Sequence, residues 1–144
     1  MLRRVVLDTT VLVSGAISAH GPSARLIDAV RGQRLDLVVC PILIAELAAT
    51  IHKPRLRRWV PDLDQADAFV ATVAQWATHY PDPTTINMAA CRDPNDAYLL
   101  ALGVTAGVDA IVSGDKDLTV LGRHRPPVLT PRQAIERLDA GPAG

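Results

Sequence analysis

The stretch CRDPNDAYLLALGVTAGVDAIVSGDKDL, residues 91–118, contains a helix, a strand and the acids that border them. Asp93-Pro94 predicts a helix start, with Asp93 as N-cap and proline at the first helical position, and Gly107 marks the stop after about Thr105. Ala110 to Ser113 is a short apolar run of the kind that forms a buried strand. Asp115 comes just beyond it, after Ser113 and Gly114, and a short helix is expected near Asp117 to Leu121.

The same alternation extends toward both ends. Arg4 to Leu7 reads as a buried first strand that ends at Asp8, and a helix is expected from Pro22 to Val30 with Gly32 as its stop. Leu35 to Cys40 is a second strand. Pro41 opens a helix to about Ile51, with Leu43, Ile44, Leu47 and Ile51 on one stripe. The longest helical pattern runs from Asp62 to about His79, and Thr84 to Met88 is a weak third strand. Val128-Leu129 is a last strand before Pro131 opens a terminal helix. Strand and helix alternate throughout, without repeats, which predicts an α/β fold: three layers, α/β/α, around a central parallel sheet of four to five strands. In such sheets ligands bind beyond the carboxyl ends of the strands, so acids there are the ones to examine.

A chain of 144 residues suits one domain, expected over 1–138 with the tail DAGPAG, 139–144, frayed. Fifteen basic residues balance fifteen acidic ones, which excludes a partner recruited by bulk charge but leaves local patches open. Five scattered aromatics are too few for a base-stacking array. Cys40 and Cys91 match neither a zinc-ligand spacing nor a disulfide framework, so a reduced, cytoplasmic setting is expected. The N-terminal run mimics a signal peptide, but Asp8-Thr9-Thr10 interrupts its apolar stretch, and no membrane span is expected. The four histidines, His20, His52, His79 and His124, are read as surface residues without carboxylate partners.

Asp8 ends the first strand, Asp115 follows a later one, and Asp93 and Asp96 bracket a helix start expected at the same edge. Glu46 lies on the flank of the stripe in its helix. Each alone has an ordinary structural role: Asp8, Asp93 and Asp117 as caps, Asp96 as a first-turn acid, Glu46 as a solvated residue. Together they are harder to explain that way, since two carboxylates about 5 Å apart repel by roughly 3 kcal/mol at an effective dielectric near 20. Oxygen ligands without a neighbouring histidine suit Mg²⁺ or Mn²⁺ rather than zinc. Acid clusters holding such ions activate water against phosphodiesters.

At these residues the chain resembles the PIN-domain ribonucleases. VVLDTTVLVSG at 5–15 resembles the family's opening strand with its metal-binding aspartate, and Glu46 in ILIAELAAT matches the second acid. The block 91–118 carries Asp96 and Asp115 at the third and fourth positions. The likeness is strongest to VapC-like toxins of toxin–antitoxin pairs. It implies that Asp8, Glu46, Asp96 and Asp115 are catalytic and hold Mg²⁺ or Mn²⁺, with Asp93, Asp117, Thr10 and Ser113 in support. Thr10 stands where Asn or Ser is common, and Ser113 matches the small hydroxyl residue two before the fourth acid. The resemblance also implies single-stranded RNA as substrate, a homodimer and an inhibitory antitoxin protein.

The basic segment with Lys53, Arg55, Arg57 and Arg58 beside Trp59 is a candidate for holding RNA phosphates, for which the arginine fork is suited. Two other readings stand beside the nuclease. One is a non-catalytic RNA- or protein-binding module of the same fold. The other is a haloacid-dehalogenase-type phosphatase, whose nucleophile motif resembles the strand ending in Asp8 but requires a second Asp where Thr10 stands.

Overall fold

The computed structural model describes residues 2–84, 94–114 and 125–140, with 94–96 described by their backbone alone and not counted where side chains are compared. Its strands are β1 (Arg4–Leu7), β2 (Asp36–Val39), β3 (Thr78–His79), β4 (Ala110–Val112) and β5 (Val128–Leu129). Its helices are α1 (Thr9–Ile17), α2 (Pro22–Arg31), α3 (Pro41–Ile51), α4 (Leu63–Trp76), α5 (Pro94–Ala106) and α6 (Pro131–Ala140). The five strands form one all-parallel sheet in the order β3-β2-β1-β4-β5. The result is the expected three-layer α/β/α arrangement.

Val5, Val6 and Leu7 of the central strand are completely buried, as in a parallel strand covered on both faces. Its start is fixed by side chains: Asp109 accepts from the Arg3 and Arg4 amides at 2.9 and 3.0 Å, and Arg4 pairs with Asp36 at 2.9 Å. From β1 the chain winds outward through β2 to β3, then returns to β4 on the other side of β1. The order reverses between β1 and β4, and a crevice opens at the carboxyl ends of strands where it does so. Two residues border that crevice in sequence: Asp8 after β1 and Ser113 after β4.

Helix α5 is apolar nearly all round because it is buried nearly all round: Ala97, Tyr98, Leu99, Leu100 and Leu102 are in the core. Gly103 lets it approach the sheet, since a Cβ there would lie 2.8 Å from the Ile111 side chain. Gly107 ends it with φ 62°, while the amides of Gly107 and Val108 return to the carbonyls of Val104 and Gly103 at 3.2 and 3.1 Å. Helix α2 ends in the same way, the amides of Gln33 and Arg34 returning to Val30 and Ala29 at 3.1 and 2.8 Å. There, however, the residue in the left-handed conformation is Gln33, φ 63°, which costs about 1–2 kcal/mol relative to glycine.

Several expectations need correction. Thr9–Ile17 is a helix that the sequence reading did not anticipate. Helix α4 stops at Trp76 rather than continuing to His79, and Thr78–His79 instead pairs with β2 as the edge strand. Thr84 lies in a bend, and the rest of the weak strand expected over 84–88 lies outside the described residues, as does the helix expected at Asp117 to Leu121. The boundary expected before residue 139 falls inside α6, where Arg25 holds Asp139 at 2.7 Å. His52 does have a carboxylate partner, Asp67, at 2.6 Å.

Candidate active site

Asp8 ends β1 and begins α1. Its amide donates to the Val112 carbonyl at 3.0 Å, carrying the β1–β4 pairing one residue further. Its extended backbone makes it the N-cap of α1, and Oδ1 accepts from the Val11 amide at 3.0 Å and from the Thr10 hydroxyl at 2.6 Å. Oδ2 accepts from the Ser113 hydroxyl at the end of β4. Asp8 is 4% exposed and is the only buried acid among the described residues. Burial of a carboxylate is tolerable here because three donors converge on it. Capping occupies Oδ1, while Oδ2 is held from the end of β4.

Thr10, two residues after Asp8, serves as a donor to it. That leaves the haloacid-dehalogenase reading without its general acid.

Glu46 comes from α3, half-buried on the flank of the stripe as expected. Its Oε2 accepts from the Tyr98 hydroxyl at 2.7 Å, and no described residue bonds Oε1. Tyr98 is 3% exposed. Burial, and then the hydrogen bond and charge of Glu46, push its phenol far above the ordinary tyrosine range, so it acts as a permanent donor.

Asp8 and Glu46 share a cleft of about 210 Å³, lined also by Thr9, Thr10, Thr50, Leu99, Lys53 and Arg55. The acid at the end of β1, the acid on α3 and two members of the basic segment thus meet in one place. Thr9 adds a buried hydroxyl with no partner in the structure. Carboxylate and hydroxyl oxygens line the cleft, with no imidazole or thiol, and such a donor set fits a hard divalent cation. Cys40, at the end of β2, is buried and its thiol is pushed up to about 11, chiefly by desolvation, which makes it inert. Among the described side chains, which do not include that of Asp96, no three acids, histidines or cysteines gather as a metal group. Asp96 lies in the first turn of α5, two residues before Tyr98. Asp93, Asp115 and Asp117 lie outside the described residues.

The basic segment divides by role. Lys53 and Arg55 line the cleft, whereas Arg57 donates to the carbonyls of Val60 (3.1 Å) and His52, bracing the turn after α3. Arg58 lies over the Trp59 ring, 5.5 Å from its centroid. Thr9, which lines the cleft, and Tyr98, which holds Glu46 from the core, are residues that sequence reasoning missed. Tyr98 reads as a core aromatic in an apolar helix, and its partner is 52 positions away.

The PIN domain family matches residues 4–117 of this chain. An uncharacterized protein of Methanocaldococcus jannaschii is 25% identical over 118 residues, 82% of this chain and 74% of that protein. Among solved structures, PAE2754 from Pyrobaculum aerophilum is similar with a TM-score of 0.69 at 16% identity, covering 96% of this chain and 90% of that one. VapBC2 from Rickettsia felis, bound to a DNA fragment from their promoter, is similar with a TM-score of 0.60 at 12% identity, covering 88% of this chain and 96% of that one. At these identities the structural likeness is one of fold.

Proposed function

Because this chain belongs to the PIN domain family, we propose that it is a metal-dependent endoribonuclease acting on single-stranded RNA, the toxin of a toxin–antitoxin pair. The observation that carries the reading is the cleft joining Asp8, the sole buried acid among the described residues, to Glu46, Lys53 and Arg55. We assign Asp96 and Asp115 to the same acid set and keep Asp93 and Asp117 as supporting acids.

Asp8, Glu46, Asp96 and Asp115 would hold Mg²⁺ or Mn²⁺. When bound, the ion supplies an acidified water and positive charge against the attacked phosphate. The chain's own residues do the positioning. Thr10, Val11 and Ser113 fix the Asp8 carboxylate between the first and fourth strands, so its oxygens do not reorient during turnover. Tyr98 fixes one oxygen of Glu46 and leaves Oε1 open. Lys53 and Arg55 hold the RNA backbone at the cleft.

Purified protein is expected to cleave single-stranded RNA once Mg²⁺ or Mn²⁺ is added and to stop with EDTA. Tight RNA binding without cleavage under any divalent ion would instead establish the non-catalytic module. Lys53→Ala with Arg55→Ala is expected to weaken RNA binding uniformly across sequences. The salt slope of binding, measured by fluorescence anisotropy, should fall by about one for each phosphate contact removed. An unchanged slope would remove both residues from the RNA path.

The antitoxin partner is proposed by likeness to VapBC2, and the cytoplasm as the setting. No helix among the described residues is long and apolar enough to cross a membrane. A homodimer is also proposed. Glu46 is the only charged residue of α3, and the exposed Ala45 and Ala49 leave that helix a surface for self-association. Light scattering should give twice the chain mass at micromolar concentration, and a monomer there refutes the dimer.

A further inference from the structure

At the opposite edge of the sheet from the cleft, separated from Asp8 by the four residues of β1 (about 13 Å of strand), lies a recess of about 470 Å³. The end of α2, the start of β2 and the last residue of α4 form it, and Arg3, Gln33, Arg34 and Trp76 line it. Three observations there are unexplained by the fold.

The first is charge. Asp36 is the one carboxylate lining the recess, and it is already occupied by Arg4 at 2.9 Å and the Thr78 hydroxyl at 2.5 Å. Among the described residues the guanidinium groups of Arg3 and Arg34 have no ion pair or hydrogen bond, so two cations line the recess without a paired anion. Capping α2 does not account for Arg34. The last carbonyls of that helix are taken by backbone amides, and Arg31 already supplies a positive charge in its last turn.

The second is Gln33. It holds a left-handed conformation at a position where glycine is the unstrained choice, and it places an amide side chain on the recess. Strain retained at one residue is a pointer to use. The third is Trp76, 37% exposed beside these groups.

Two arginine forks, an amide and an indole are the set that recognises a phosphate, a base edge and a base face. We propose that this recess is a binding site for a nucleoside phosphate. Arg3 and Arg34 hold the phosphate, Trp76 stacks on the base and Gln33 bonds its edge. The site takes either a free nucleotide or the terminal nucleotide of an RNA strand. It does not depend on the catalytic reading, because it uses none of the cleft residues.

The test uses the full chain carrying Trp59→Phe, which leaves Trp76 as the only tryptophan, with EDTA present to prevent cleavage. Trp76 fluorescence is followed on titration with nucleoside 5′-monophosphates, inorganic phosphate, and short RNAs bearing a 5′-phosphate or a 5′-hydroxyl. Monophosphates should quench it saturably below millimolar concentration, and Arg34→Ala should weaken binding at least tenfold. Gln33→Gly should raise Tm by a few degrees yet weaken nucleotide binding. Equal binding of free nucleotide and 5′-phosphorylated RNA, with none of the 5′-hydroxyl RNA, supports the site and admits both sources; response to the phosphorylated RNA alone supports it as an RNA-end site. No response at millimolar nucleotide, response to phosphate equal to that of nucleotide, or binding indifferent to Arg34→Ala overturns it.

Discussion

Purified Asp8→Asn protein is expected to lose the proposed metal-dependent RNA cleavage by about 10²–10³-fold or more while remaining folded. The activity loss follows from charge: the substitution removes an anionic oxygen from the cleft, and groups that stabilise reacting charge in a sheltered site are worth that much when removed singly. The retained fold follows from the bonds that Asn can keep. Asn is as good an N-cap as Asp, so the Val11 amide and the Thr10 hydroxyl still have their acceptor. The new Nδ2 faces the Ser113 hydroxyl, which can accept as well as donate, and the stability cost stays within about 1 kcal/mol. A cleavage assay beside a thermal melt separates the two effects. Full activity in a folded Asp8→Asn protein would end the nuclease assignment. Metal supplies a second readout: an ion bound to the native state raises Tm by mass action, and this rise should shrink in the variant.

Tyr98→Phe is expected to weaken Mn²⁺ binding by roughly 10–100-fold, the range seen when a group that orients a metal ligand is removed. The hydroxyl lost is the one that holds Glu46 Oε2 at 2.7 Å, and the ring that remains still fills the core of α5. Global stability should therefore fall by only about 1 kcal/mol. The discriminating signature is in kinetics: excess Mn²⁺ restores most of kcat, while KM for RNA at saturating metal hardly changes. Calorimetric titration with Mn²⁺ checks the affinity directly. If affinity is unchanged and only Tm drops, Tyr98 is a core residue and nothing more.

The sequence announced the sheet because its strands are short apolar runs followed by turn or helix signals, and parallel burial leaves that mark on composition. It concealed α1 because Thr9, Thr10, Val11 and Val13 favour strands by local preference, and the helix exists through the Asp8 cap and its packing on α2. It concealed β3 because two exposed residues at the sheet edge carry no apolar pattern; only the pairing of Thr78 with Val38 and of His79 with Val39 defines them. Asp8 was legible from its place at a strand end, and the family from residues 5–15 and 91–118. Its donors Thr10 and Ser113 were named only through the family likeness, since the bond from Ser113 spans 105 positions, and the bond between Tyr98 and Glu46 joins two helices whose relative placement no local pattern encodes. In the basic segment, Lys53 and Arg55 line the cleft, while local composition gave no sign that Arg57 would be spent bracing a turn.

The first strand sits in the middle of the sheet, and one of its two neighbours is made of residues 110–112. A ribosome therefore releases Asp8 long before it has synthesised the strand and the serine that hold it. On the nuclease reading proposed above, the order of synthesis itself keeps the cleft unassembled until residues 110–113 have been made.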